Sequence, residues 1–275
     1  MHVIGLELIA FVAAIGAGAF GALVGVGGGL IIVPLLVALG VEVHAAIGVS
    51  LLGVIGVSTA GSASYLKAGF VNRRVGLTLL IATTAGGIGG GYAAGLLDGR
   101  TLSGMFGIIL VLAAAQMLRA RNRPPSEIMG EPATLDIDAS YVEPTTGETI
   151  DYRARNVGIG AFVSIFAGAI SGLLGVGGGI VNVPTMNVLM GVPIRVATAT
   201  STYMLGATAA AGAVLYLSRG QIDGLLAAAV VAGVFAGAAM GARFSRRVPR
   251  ELLSLAFMVI AAVFAVQMLL RFLAA

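Results

Sequence analysis

The sequence predicts an all-α, polytopic membrane protein built from two inverted-topology repeats with Gly-rich broken or re-entrant helices. Three observations carry that prediction: a shortage of charge, a duplication running through most of the chain, and the sidedness of the basic residues. Of 275 residues, 58% are hydrophobic and 10% charged, and the mean hydropathy is +1.03. A water-soluble domain carries about a quarter charged residues. Too little polar surface exists here to cover a globule in water, so the solvent must be lipid. Apolar runs of roughly 20 residues, enough to span the hydrocarbon core as helix, make the same point locally. The 42 glycines suit close helix packing in a membrane. Cysteine is absent and the histidines are His2 and His44. Disulfide and thiolate chemistry are therefore excluded, and no metal site, cofactor or nucleophile–histidine pair of an enzyme is expected. The apolar opening, residues 4–24, is expected to be mature structure, since no Lys or Arg precedes it and its sequence recurs inside the chain.

The duplication is direct. Gly25-Val26-Gly27-Gly28-Gly29 returns as Gly175-Val176-Gly177-Gly178-Gly179, and Pro34 returns as Pro184, an offset of 150. One inserted residue then makes the offset 151: Gly40-Val41 matches Gly191-Val192, Ser50 matches Ser201, and Tyr65 matches Tyr216. Internal duplication is a common plan of secondary transporters. It divides the chain into repeat 1 (1–119), a polar linker (120–155) and repeat 2 (156–275). The linker holds seven of the twelve acidic residues, Glu127, Glu131, Asp136, Asp138, Glu143, Glu148 and Asp151, with four prolines. That composition reads as a solvated tether.

Each half shows five apolar stretches, at about 4–23, 29–40, 43–66, 75–97 and 101–118, then 156–173, 179–191, 196–217, 222–242 and 250–271. The second of each set is too short as helix to cross a core of roughly 30 Å. If the Gly-rich segment reverses the chain, 13 of the 16 basic residues collect on one face, leaving Arg100, Arg219 and Arg271 on the other. If it is only a kink, the split is 10 against 6. The positive-inside rule prefers the reversal. It places both termini outside and the linker in the cytoplasm, and explains the net charge of +4 without nucleic acid.

Glycine lets the backbone approach a ligand and adopt conformations closed to other residues. The helices that follow, from Leu30 and from Ile180, present unpaired N–H groups and a partial positive charge, which together bind anions. Gly25, Gly27, Gly28, Gly29, Gly175, Gly177, Gly178 and Gly179 are thus candidate substrate-binding positions. The polar residues beside them are unequal. Repeat 2 offers Asn182, Thr198, Thr200 and Ser201, where repeat 1 has Ile32, Ile47, Val49 and Ser50. Neutral donors of this kind suit an oxyanion without trapping it. Asn187 lies about 500° round a helix from Asn182, so both face one site only if the helix is irregular; Asn182 is favoured. His44 and Arg195 occupy equivalent positions, as candidates for gating or steering an anion. Any single hydroxyl here also has a purely structural reading, as helix-to-helix hydrogen bonding.

At these residues the sequence resembles the TauE/SafE family of sulfite exporters and sulfonate permeases. The resemblance rests on the doubled GVGGG-(x)n-P, at Gly25–Pro34 and Gly175–Pro184, and on Ala199-Thr200-Ser201. It extends over roughly 5–118 and 156–272. Gly48-Val49-Ser50 departs from the Ala-Thr-Ser element, so the halves are not expected to participate equally. The resemblance implies a transporter of the cell inner membrane, an exporter of a small sulfur-containing anion such as sulfite or an organosulfonate. The alternative is an anion channel, or a permease for another small anion.

Overall fold

A computed structural model describes residues 2–121, 136–143, 147–244 and 250–274. Arg123, Glu127, Glu131, Arg246 and Arg247 lie outside these. The described residues form α1 (His2–Val24), α2 (Gly29–Ala38), α3 (Val43–Lys67), α4 (Arg73–Ala94), α5 (Gly99–Arg121), α6 (Val157–Leu174), α7 (Gly179–Pro184), α8 (Ile194–Ser218), α9 (Gly224–Phe244) and α10 (Arg250–Ala274). Each follows one of the predicted apolar stretches. Among the described residues, five helices are long and apolar enough to cross a membrane: Gly5–Val24, Val43–Lys67, Arg73–Ala94, Val157–Leu174 and Gly224–Arg243. Large apolar side chains point outward, among them Ile81 (76% exposed) and Phe162 (62%). In water such a surface drives association; in lipid it is the ordinary solvent-facing side. The chain is a multi-pass membrane protein whose apolar part is helical.

Two carboxylates near helix ends, Glu42 and Asp223, are caps, which is why they tolerate that position. Glu42 accepts from Ala45 N at 3.0 Å, opening α3, and Asp223 accepts from Leu225 N and Leu226 N, opening α9. Burial raises the Glu42 carboxyl, but the hydrogen bonds from His44 and Ala45 outweigh it and hold the group below its ordinary value.

Helices of opposite halves interlock. α1 packs on α9 and α4 on α6; α3 and α8 pack together at the centre; α3 also meets α9, as α8 meets α4. Each of these contacts has its counterpart in the other half. The α4–α6 seam explains much of the glycine content. A Cβ on Gly86 or Gly90 would land on the carbonyl oxygens of Ile165 and Ala169, and one on Gly168 or Gly172 on those of Thr83 and Gly87. Two small-xxx-small stripes thus let backbone meet backbone, replacing the hydrophobic drive that lipid removes.

Two features depart from the expected pattern. The first is the inserted residue of repeat 2. α2 runs unbroken through Pro34, whereas after Pro184 the chain forms a five-residue π-helical turn, Thr185–Leu189. Met190 N donates to Thr185 O, and Val192 N to Met186 O, six residues back, where Val41 N reaches only five, to Leu36 O. One extra residue in a helix is absorbed as a π-bulge, so the change of offset from 150 to 151 has a structural cause.

The second corrects the reading of the linker as a solvated tether over residues 137–154, in a chain whose other described elements are helical as expected. Residues Ile137–Val142 (β1) and Thr149–Ala154 (β2) form an antiparallel hairpin, with Ile137 paired to Ala154 and Val142 to Thr149. Ile137, Ala139, Tyr141 face one side with Ile150, Tyr152 and Ala154, and the carboxylates face the other. This period-2 alternation is masked by the acidic, proline-rich composition around it. Tyr141 stacks edgewise between Phe70 and Tyr152, and Ala154 is fully buried.

Candidate functional site

The two Gly-rich turns meet at the centre of the molecule. Gly25, Gly27, Gly28, Gly175, Gly177 and Gly178 all have φ between 71° and 90°, a region that L side chains occupy only with strain. This lets each turn end one helix and start the next within four residues. Gly25 N donates to Gly21 O and Gly175 N to Ser171 O. A Cβ on Gly29 would strike the carbonyl oxygen of Gly175, and one on Gly179 that of Gly25. Gly27 and Gly177 both look toward Val54 and Leu205, which are themselves equivalent positions. The turns are therefore in backbone contact, with no side chain between them.

Ser50 and Ser201 lock that contact. Ser50 Oγ donates to Gly175 O at 2.8 Å and Ser201 Oγ to Gly25 O at 2.9 Å, each helix reaching the opposite half's turn. Both serines are fully buried. Thr198 also lies at the Gly25 turn, its methyl 2.9 Å from where a Cβ would stand. Thr200 does not join them. It is about 200° round α8 from Thr198, faces α4, and accepts from Asn72 N at 3.0 Å. Asn187 is also spent elsewhere, donating to Val192 O at 2.9 Å across the π-helical turn.

Asn182 sits at the Gly175–Gly179 turn, 2% exposed, and its Oδ1 accepts from Ser164 Oγ at 3.1 Å. That bond orients the amide and leaves Nδ2 as the spare donor. Ser171 lies on the same face of α6, two turns from Ser164. Its Cβ is 3.5 Å from the position a Cβ on Gly178 would take, and its fully buried hydroxyl has no hydrogen-bond partner. Buried polar groups are rarely left so. Ser164 and Ser171 were missed in reading the sequence, although the duplication carries the signal: their counterparts are Ala14 and Gly21, and that of Asn182 is Ile32. The matching space in the first half is an apolar crevice beside Phe20, Gly21 and Ile31, of about 10 Å³, roughly room for one water.

His44 and Arg195 begin α3 and α8 and stand outside this cluster. His44 Nε2 lies 3.1 Å from Leu97 O and Nδ1 2.7 Å from Glu42 Oε1. Arg195 pairs with Glu143 of the linker hairpin and lies over the Phe70 ring, 5.8 Å from its centroid. No group of three or more metal-ligating side chains occurs among the described residues.

The family model of the sulfite exporters TauE/SafE matches residues 10–268. The chain belongs to the TauE/SafE family. Its curated relatives include the probable membrane transporter protein YunE of Bacillus subtilis (strain 168), 30% identical over 241 residues, covering 84% of this chain and 85% of that protein. No solved structure matches the chain. TauE/SafE proteins are membrane transporters rather than enzymes.

Proposed function

We propose that this TauE/SafE protein is a carrier for a small sulfur-containing oxyanion, sulfite or a short organosulfonate, exported from the cytoplasm. The observation that carries this reading is the buried group Asn182–Ser164–Ser171 beside the Gly175–Gly179 turn, in a half whose counterpart is apolar. Asn182 Nδ2 and the Ser171 hydroxyl supply donors, and the turn brings backbone N–H groups near them. Hydrogen bonds to a charged group contribute about 1.5–3 kcal/mol each. Closed contact between the two turns favours a carrier over an open channel, because the halves must part for an anion to pass. Saturable sulfite flux with counterflow is the carrier's signature; a conductance far above carrier turnover would refute it.

Asn182→Leu is expected to weaken sulfite binding by roughly tenfold or more, measured by calorimetry on purified protein beside its thermal stability. Lower stability with unchanged affinity would move recognition elsewhere.

We further infer inverted repeats in the inner membrane, with both termini outside and the linker cytoplasmic. The 13-to-3 basic split supports this, as does the return of the chain on itself: Arg155 N, entering α6, donates to Met190 O, just past the π-helical turn. The start of α6 and the end of the π-helical turn thus lie side by side, which supports a re-entrant hairpin. Because native cysteine is absent, Ser140→Cys is expected to react only with reagent on the cytoplasmic side and Leu96→Cys only from outside. Labelling from the opposite sides would overturn the orientation.

A further inference from the structure

The linker hairpin lies across both halves of the molecule at the basic face. On the first half it covers the α3–α4 loop, where Phe70 is 3% exposed beneath Tyr141, and Asn72 Nδ2 donates to Tyr152 Oη at 2.9 Å. Burial raises the Tyr152 phenol, so it is the protonated, neutral form that receives this bond. On the second half the hairpin reaches the start of α8, where Glu143 Oε1 pairs with Arg195 Nη1. Tyr141 Oη donates to the other carboxylate oxygen at 3.1 Å. A guanidinium and a phenol thus hold one carboxylate between them, with the Arg195 side chain 26% and the Glu143 side chain 17% exposed. The pair is neither freely solvated nor sealed.

Arg195 stands one helical turn before Thr198 and two before Ser201, the residues that hold the Gly25 turn. A second link runs from Tyr152 through the Asn72 side chain, and from Asn72 N to Thr200 Oγ1. Hairpin, α8 and Gly-rich turn form one connected chain of contacts. The group that pins the hairpin down is a small anion on an arginine at the end of that chain.

We propose that Arg195 is the receiving site for the transported oxyanion, and that the Glu143 carboxylate is the chain's own stand-in for it, latching the 137–154 hairpin across the entrance until substrate displaces it. This rests on the reading of the protein as an oxyanion carrier. Sulfite is pyramidal, but two of its three oxygens can accept from the guanidinium and a neighbouring donor as the two Glu143 oxygens accept from Arg195 and Tyr141. Once it replaces Glu143, the hairpin loses its charged contact to α8, while the contacts through Phe70 and Asn72 and the run of β2 into α6 remain.

The test is sulfite binding to the purified full chain, joined to thiol labelling of Ala154→Cys, a small change at a fully buried hairpin position. Sulfite is expected to speed that labelling in the otherwise native protein. Glu143→Gln keeps the shape and removes the competing charge; it is expected to tighten sulfite binding by roughly tenfold and to raise labelling without sulfite. Arg195→Gln is expected to raise basal labelling, weaken binding and abolish the response to sulfite. If the ion pair is only a structural clip, both variants label faster while sulfite affinity stays at the native value, and the proposal falls. The affinity arm needs no cysteine, so it decides the matter even if Ala154→Cys does not fold. A native chain that binds neither sulfite nor a short sulfonate overturns the carrier reading itself; native binding with Glu143→Gln unchanged overturns the latch alone.

Discussion

Gly179→Ala and Gly29→Ala, the smallest side chains that can be added, are each expected to cut transport by on the order of tenfold or more. A Cβ at Gly179 falls on the Gly25 carbonyl oxygen and 2.8 Å from Val26 Cα; one at Gly29 falls on the Gly175 carbonyl oxygen and 2.9 Å from Val176 Cα. Neither obstacle is a flexible side-chain tip. Both carbonyls are tethered, Gly25 O by Ser201 and Gly175 O by Ser50. To make room, one turn must move off the other, stretching a buried hydrogen bond whose acceptor has no water to fall back on. Overpacking of this sort costs about 1–3 kcal/mol. It acts on the closed contact itself and so falls on the step in which the turns meet and part. Sulfite counterflow in proteoliposomes, on variants that elute as native protein, reads the effect. Native flux in both variants would mean that the contact between the turns is incidental to transport.

The second large effect concerns stability. Gly168→Leu is expected to prevent recovery of folded protein, or to lower its melting temperature sharply, because its Cβ lands on Thr83 O within the α4–α6 seam. The seam alternates such contacts from both helices, so the wedge cannot be relieved by a small slide of one past the other. Lipid supplies no hydrophobic drive to press the separated helices together again. Gly89→Leu is the control: it lies on the same helix as Gly86 and Gly90, yet a Cβ there meets nothing within 4 Å. Its melting temperature is expected to stay at the native value. Similar melting curves for the two variants would show that glycine in α4 and α6 serves something other than close approach.

Much of this architecture could be read from residues alone. The lack of charge decided the solvent, because a helix that cannot be wetted must be buried in something apolar. The doubled GVGGG decided where each half breaks its helix, since only glycine accepts φ near 75° at successive positions without strain. The step from offset 150 to 151 located an irregularity that proved to be the π-helical turn at Thr185–Leu189. These are local or periodic properties, and a linear pattern holds them.

What the linear pattern did not hold is which polar groups are already spent. Ser50 and Ser201 read as ligand donors, and the fold commits their protons to carbonyls 125 and 176 residues away. Thr200 reads as a neighbour of Ser201, and the helical twist turns it to Asn72, the residue that precedes α4. Ser171, unremarkable among small residues, emerges as the buried hydroxyl without a partner. The acidic linker read as solvated, yet its alternating apolar residues find Phe70 and Asn72 only because the two halves bring that loop beneath them. Composition and period determined the lipid-facing surface, the helices and their breaks. The occupancy of each donor is a property of pairs, and only the tertiary structure brings the pairs together.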